Sequence, residues 1–166
     1  MTLQIVHASA QPCCLPTLAE WHHREWAHLY ADWTPSVALA ELQSHVDANA
    51  SVDTTWLALH DNHLCGSVSL IREDAPALKH LNGPWLASLW VHPEHRRHGL
   101  GARLVKHVLH HAQQHALTQL RLFTVDGEAW YRALGWQFEQ RADLNGSQVV
   151  IMRYPPALDS PSTGAP

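Results

Sequence analysis

The sequence VHPEHRRHGLGARL, residues 91–104, joins two apolar segments through a turn rich in cationic side chains and glycine. Upstream, WLASLWV (Trp85–Val91) is apolar enough to predict a central β-strand. Downstream, residues 101–116 predict an amphipathic α-helix, because apolar side chains recur on one face. Glycines let a backbone approach a ligand closely, and the first turn of a helix offers free N–H groups and partial positive charge. The turn is therefore predicted to hold an anion.

The alternatives for this turn can be compared directly. A Walker loop needs Gly-Lys-Ser/Thr, which is absent. A dinucleotide-binding fingerprint needs a third glycine where Leu104 stands. A plain glycine-rich turn with solvated arginines is the remaining interpretation. It is disfavoured because, without an anion, so many cations beside a helix N-terminus would oppose the helix dipole.

Outward from this turn, the chain alternates strands and helices. Apolar patterns predict a strand at residues 3–8 and a helix at 16–33. Thr34 and Pro35 then predict the start of a second helix, running to about Ala48 and burying Val37, Leu42 and Val46. The remaining predicted elements are a hairpin of TTWLALH and LCGSVSLI around Asp61-Asn62, a strand at 119–125, a short helix with Asp126 as N-cap and Gly135 at its end, and a hairpin of WQFEQRA and SQVVIMRY around Asn145-Gly146. This order predicts one mixed sheet with packed helices.

Length and composition suit one domain at residues 1–154, followed by a Pro- and Ser-rich tail at 155–166 that we expect to be disordered. Apolar stretches are far shorter than the ~20 residues that span a membrane, and the N-terminus lacks the pattern of a signal peptide. Cys13, Cys14 and Cys65 form an odd set with two adjacent members, which favours a reduced, cytoplasmic protein.

The charge is distributed unevenly along the chain. The net charge is −4, which argues against nucleic-acid binding. Residues 1–83 carry nine acidic and three basic side chains, whereas residues 84–166 carry six acidic and eight basic ones. The first half could favour a cation and the second an anion, although chance clustering of solvated charge explains the split equally well.

Three segments in order resemble the GCN5-related N-acetyltransferases (GNAT superfamily). Arg96, Gly99 and Gly101 fit the acetyl-CoA loop of that family, Gln/Arg-x-x-Gly-x-Gly/Ala. WLASLWVHPEHR is similar to its fourth strand, which ends in Val-x-Pro. EAWYRALGW is similar to its Tyr-x-x-x-Gly-Phe segment, with Trp136 in place of the usual Phe. Together these segments cover residues 85–140.

The resemblance implies an α+β fold with α/β/α layers, in which a mixed, mostly antiparallel sheet carries helices on both faces. It implies an acyl-CoA-dependent N-acyltransferase that moves acetyl from acetyl-CoA to a primary amine by direct attack. The pyrophosphate would lie on backbone amides of about residues 97–102, and the pantetheine arm on the edge of β-strand residues 89–91. The residues expected to bind acetyl-CoA are Leu89, Trp90, Val91, Arg96, Arg97, His98, Gly99, Leu100, Gly101, Ala102 and Asp126.

The chemistry of acetyl transfer suggests further roles. An alkylamine with a pKa near ~10.4 must lose a proton, and a leaving thiolate with a pKa near ~8.5 must gain one. Tyr131 occupies the position of the family's general acid and, with a pKa near ~10, is protonated at pH 7; simple packing is the alternative. Glu73 and Asp74 are candidate bases, although solvation of both acids is the simpler interpretation. Trp26, Trp33 and Ser88 are candidates for the acceptor pocket, with core packing as the alternative for the tryptophans.

Other functions can be weighed from the same residues. His107, His111 and His115 follow one side of the predicted long helix, but no cysteine or acid joins them, so we expect a solvated face and no metal site. The expected partner is a small-molecule or peptide amine, with no nucleic acid and no membrane, and a homodimer is left open. A non-catalytic acyl-CoA-binding sensor or interaction module is the alternative function.

Overall fold

A seven-stranded sheet in the order β1-β2-β3-β4-β5-β7-β6 forms the centre of the computed structural model, which describes residues 2–155. The elements are β1 (Leu3–His7), α1 (Leu15–Trp26), α2 (Pro35–Ser44), β2 (Thr54–His60), β3 (His63–Ile71), β4 (Trp85–Val91), α3 (Leu100–Gln114), β5 (Leu120–Thr124), α4 (Glu128–Ala133), β6 (Gln137–Leu144) and β7 (Ser147–Tyr154). Apart from Pro155, the predicted tail lies outside the described residues.

The sheet is mixed, as predicted. All neighbouring strands are antiparallel except β4 and β5, which run parallel. Those two strands share one bridged pair, Trp85 with Arg121, at the first residue of β4 and the second of β5. Parallel neighbours require a crossover connection, and α3 supplies it. The predicted α+β fold is therefore confirmed.

Both faces of the sheet carry helices. Successive side chains of a strand point to opposite faces, and in β2 the alternation separates two clusters. Trp56 and Ala58 pack with α3 residues such as Leu104, whereas Leu57 and Leu59 pack with α1 and α2. A third cluster lies over β5, β6 and β7, on the face of the sheet that carries α1 and α2. Its members include Leu29, Leu78, Trp85, Leu144, Val149 and Ile151.

Both predicted hairpins are confirmed. His60 pairs with His63 across Asp61-Asn62, and Leu144 pairs with Ser147 across Asn145-Gly146. All four turn residues have positive φ, between 47° and 85°. This is the backbone that a two-residue type I′ turn requires, and asparagine, aspartate and glycine tolerate it best.

The first helix is shorter than predicted. It ends at Trp26, whose φ of −122° leaves the helical region, and a 3-10 turn follows at Ala27–Leu29. The apolar spacing through Leu29, Tyr30 and Trp33 arises because this segment crosses to the third cluster, where Leu29 is buried. The apolar residues of this segment therefore pack against two different clusters, although their spacing in the sequence matches that of one continuous helix.

Several finer predictions were also wrong. In α2, Thr34 caps the helix as predicted by accepting from the Val37 N–H, but Val37 and Val46 are exposed and only Leu42 of the three is buried. α4 begins after Gly127 rather than Asp126. The Gly127 N–H donates to Thr124 Oγ1 at 2.9 Å, but no side chain caps the first turn of α4, so the predicted capping role of Asp126 is wrong.

The histidine face of α3 is less solvated than expected. His107 and His111 are half-buried, with ring centroids 5.2 and 4.7 Å from that of Trp56. His111 also contacts the Ser51 carbonyl through Nε2 at 3.0 Å. Among residues 2–155, no group of three or more His, Cys, Asp or Glu side chains is placed to hold a metal ion. No helix in that range is long and apolar enough to cross a membrane.

Candidate active site

A cavity of about 1170 Å³ opens where β4 and β5 part. Its walls include β4 residues 86–91, the turn after β4, residues 123–126 at the end of β5, and the segment that follows α1. Ligands of open sheets bind beyond the carboxyl ends of parallel strands, and this cavity occupies that place. Its volume reaches the range of ligand pockets.

The cavity brings together nearly all residues predicted for the site. It is lined by Trp26, Trp33, Glu73, Asp74, Ser88, Leu89, Trp90, Val91, Arg96, Arg97, Gly99, Leu100, Gly101, Ala102, Asp126 and Tyr131. His98 is exposed on the turn and is absent from this wall. Residues far apart in sequence thus share one space.

The glycine turn presents backbone amides to the cavity. Gly99 is the residue before α3, with a φ of 77°, and no side chain caps the helix. The first intrahelical bond there runs from the Arg103 N–H to the Gly99 carbonyl, so the preceding N–H groups have no acceptor within the helix. A Cβ on Gly99 would meet nothing within 4 Å. The turn is an open cradle of amides at the positive end of a 15-residue helix.

Charge and space around the turn fit a pyrophosphate. Arg96 and Arg97 add two full positive charges on the cavity wall. The Arg96 Nε donates to the Val91 carbonyl at 2.9 Å, which ties the turn to the end of β4. A Cβ on Gly101 would lie 3.4 Å from the Trp130 ring, so the indole of α4 closely borders this part of the turn.

A β-bulge interrupts β4 inside the cavity. Ser67 of β3 faces Trp90 and Ser69 faces Ala87, so Ser88 and Leu89 together oppose the single residue Val68. Ser88 has a φ of 53°, a left-handed backbone that non-glycine residues seldom adopt. A bulge releases local backbone groups from the ladder and re-aims them. Here the released groups lie along the cavity, at the strand predicted to pair with pantetheine.

Tyr131 lies on α4 at the opposite wall. Its ring packs edge-on against Trp130, with centroids 4.8 Å apart. Burial raises the pKa of the Tyr131 phenol, so the hydroxyl stays protonated well above neutral pH. Within residues 2–155, no hydrogen bond engages that hydroxyl, which leaves it available to a ligand in the cavity.

The far end of the cavity combines aromatic rings with carboxylates. The Tyr30 hydroxyl donates to Asp74 Oδ1 at 2.8 Å, and the Trp33 indole N–H donates to Glu41 Oε2 at 3.2 Å. The Tyr30 and Trp33 rings lie 5.2 Å apart. Burial raises the pKa of Asp74 to about 7, although the Tyr30 hydrogen bond partly opposes this. Glu73, in contrast, is exposed.

Two of these lining residues were missed in the sequence. Tyr30 falls within the helix predicted at residues 16–33, and Glu41 within the second predicted helix. No motif marks either position. The excess of acids in residues 1–83 was the available signal, because Glu41 and Asp74 both contribute to it.

The fold and sequence match known acetyltransferases. The profile of the Acetyltransferase (GNAT) family matches residues 15–136. An acetyltransferase of the GNAT family from Desulfovibrio desulfuricans is 18% identical, with 92% of this chain and 98% of that chain covered and a TM-score of 0.68. No curated protein matches the chain.

Two structures with bound ligands are also similar to this chain. An aminoglycoside 6′-N-acetyltransferase complexed with coenzyme A is 15% identical, with 96% and 100% of the two chains covered and a TM-score of 0.68. Naa50 from Arabidopsis thaliana, in complex with a bisubstrate analogue, is 14% identical, with 92% and 98% covered and a TM-score of 0.65.

The class of protein follows from the family match together with this geometry: the protein is an N-acetyltransferase. The matching profile spans well over half of the chain, and the chain belongs to the GNAT acetyltransferase family.

The open space at Gly99 generates a testable prediction about acyl-CoA. Acetyl-CoA should raise the melting temperature, because a ligand that binds only the folded state stabilises it. In Gly99→Glu the new carboxylate would project into the cradle and repel the pyrophosphate, so the shift should disappear. Thermal denaturation with and without acetyl-CoA measures it.

Gly99→Asn is the matched control for backbone conformation. Asparagine tolerates positive φ better than other non-glycine residues and adds no charge. It should retain more of the shift than Gly99→Glu does. An undiminished shift in Gly99→Glu would show that the turn does not hold the pyrophosphate.

Proposed function

We propose that the protein transfers an acetyl group from acetyl-CoA to a cationic primary amine, with Tyr131 as general acid and Asp74 as general base. The observation that carries the proposal is the single cavity, in which an amide cradle lies at one end and an aromatic, acidic pocket at the other. Thioester and amine would meet between them, beside the β4 bulge.

The acyl donor is assigned to the glycine-turn end. The amides of residues 97–102, with Arg96 and Arg97, would hold the pyrophosphate, and Leu89–Val91 would align the pantetheine arm. When bound, acetyl-CoA supplies an activated acyl group in the form of a thioester. Backbone N–H groups at the bulge would stabilise negative charge on the acyl oxygen, as preorganised donors do in acyl transfer.

The amine is assigned to the aromatic end. Trp26, Tyr30 and Trp33 can pack against the body of the acceptor and against a cationic group through their ring faces. Asp74 and Glu41 favour a positive charge there. The ionised Asp74 can accept the ammonium proton directly or through one water, and its pKa of about 7 makes it suited to exchange a proton near neutral pH.

Tyr131 is assigned to the leaving group. The departing sulfur must gain a proton, and a phenol held within hydrogen-bond reach of it can donate that proton as general acid in the transition state. The raised pKa of Tyr131 keeps its proton in place across the neutral range until the thiolate forms. Its hydroxyl faces no competing partner within the described residues.

The cysteines bear on the cellular compartment in which the protein functions. Cys13, Cys14 and Cys65 are free thiols, and Cys65 is buried. Free thiols persist in a reducing environment, and we accordingly propose a cytoplasmic location.

Acceptor preference tests the proposed reaction. With acetyl-CoA, alkylamines that carry an aromatic ring and diamines should be acetylated faster than amines that carry carboxylates, because the carboxylates would face Glu41 and Asp74. Added salt should slow the cationic acceptors, since it screens the attraction. Release of free thiol, with N-acetyl product confirmed by mass spectrometry, is the measurement. Binding of acetyl-CoA without turnover of any amine would favour the sensor alternative, and a preference for anionic acceptors would contradict the assigned pocket.

Tyr131→Phe tests the general acid. It keeps the ring and its packing on Trp130 but removes the hydroxyl, so kcat should fall about ten- to a thousand-fold, while acetyl-CoA affinity and melting temperature stay near wild type. Tyr154→Phe is the matched control, because Tyr154 packs against the same cluster and lies outside the cavity wall. Normal turnover by Tyr131→Phe would leave Tyr131 as a packing residue.

The pH profile tests Asp74. Below pH 7 the carboxyl is protonated and cannot accept a proton, so kcat at saturating acceptor should rise as pH increases through about 7. Asp74→Asn should lower kcat and abolish this rise. Tyr30→Phe removes a hydrogen bond that favours the ionised form, so it should move the rise to higher pH. A wild-type rise that persists in Asp74→Asn would assign the base elsewhere.

A further inference from the structure

A buried histidine of α1 is connected to the β4 bulge through one serine. His22 is 2% exposed, and its Nε2 lies 2.8 Å from Ser67 Oγ on β3. Ser67 is fully buried, and its hydroxyl donates to the Ser88 carbonyl at 3.0 Å. The three groups form a continuous chain from the helix, across one strand, to the bulged residue of the next.

The direction of these hydrogen bonds follows from the donors available. A carbonyl only accepts, so the single Ser67 proton goes to Ser88. Ser67 Oγ must therefore accept from His22, which fixes the proton of that imidazole on Nε2. Burial lowers the pKa of His22 to about 3, so the ring is neutral at pH 7 and serves as a hydrogen-bond donor rather than as a base.

The hydrogen bond from Ser67 ends on the Ser88 carbonyl, where the backbone conformation needs support from its surroundings. The bulge removes this residue from regular pairing with β3, and its φ of 53° is sparsely populated for serine. Backbone in such regions persists only when surrounding contacts hold it. Ser88 also lies on the cavity wall, between the residues assigned to the thioester and those assigned to the amine.

We infer that His22 is a positioning residue for acetyl transfer, which acts through Ser67 to hold the Ser88 carbonyl and thereby fixes the direction of the bulge amides that face the reacting acyl group. The inference rests on the proposed function for its effect on rate. The structural claim, that the His22 and Ser67 side chains fix the bulge, does not depend on catalysis. A histidine, rather than an apolar side chain, is used at this buried position because Ser67 needs a donor once its own proton is committed.

The chain offers a matched pair as control. His7 Nε2 lies 2.8 Å from Thr54 Oγ1, and Thr54 is 1% exposed, so the same chemistry recurs on β1 and β2. Neither residue lies on the cavity wall or contacts β4 through a hydrogen bond. Removing this pair perturbs a partly buried histidine–hydroxyl contact without touching the bulge.

The experiment compares Ser67→Ala, His22→Leu and His22→Gln with Thr54→Val in the full chain. Misplacing a catalytic group by about 1 Å can cost ~100-fold, so Ser67→Ala and His22→Leu should lower kcat about ten- to a hundred-fold with little change in KM for acetyl-CoA. The double variant should be no slower than either single one, because both break the same chain. His22→Gln places a donor near the Nε2 position and should restore most of the rate, whereas Thr54→Val should match wild type.

Amide hydrogen exchange supplies a readout that does not depend on turnover. Exchange in the β4 segment should accelerate in Ser67→Ala and His22→Leu, and should remain at the wild-type rate in Thr54→Val. If wild type acetylates no amine, the proposed function fails while the exchange data still test the structural claim. Unchanged exchange in both variants overturns the inference, and so does a loss of rate that His22→Gln fails to restore.

Discussion

The divergence of β4 from β5 is the constraint on which the rest of the site depends. The two strands are joined near their N-terminal ends, where Trp85 pairs with Arg121 and is 1% exposed. Arg121 is fixed there by Glu139, with both carboxylate oxygens within 2.9 Å, and by the Asn82 carbonyl. Strands that are clamped at one end and unpaired beyond it leave backbone hydrogen-bonding groups free at the other. The cavity lies in that opening. The glycine turn follows the end of β4 and α4 follows the end of β5, so both border the cavity.

The two ends of the cavity differ in the source of their electrostatics. At the glycine turn the positive potential comes from the exposed amides before α3 together with two arginines. At the aromatic end the potential is negative and comes from carboxyl groups whose charge depends on burial, and Asp74 with its pKa of about 7 is the clearest case. A backbone cradle is insensitive to pH, whereas a buried carboxyl is not. Under the proposed function, the pH dependence of the reaction therefore arises at the aromatic end of the cavity.

Much of the fold could be predicted because local rules agree with the tertiary structure. Asn145-Gly146 requires positive φ in a tight hairpin, Thr34-Pro35 begins a helix, and the glycine turn precedes α3 as its motif indicates. Local rules failed where one segment serves two partners, as after Trp26, and where α4 begins after Gly127 without a side-chain cap. The contacts of His22, Tyr30 and Glu41 could not be foreseen, since each depends on a partner at least eight residues away whose approach is set by the packed sheet.

The central claim is that the opening between β4 and β5 receives an acyl-CoA thioester. Hydrogen exchange of the wild-type protein with and without acetyl-CoA tests it most directly, because amides that bind a ligand lose exchange with solvent. The account predicts protection of the amides of residues 89–91 and 97–102, with β1 and β2 unaffected. Protection confined to other surfaces, or none at saturating acetyl-CoA, would contradict it.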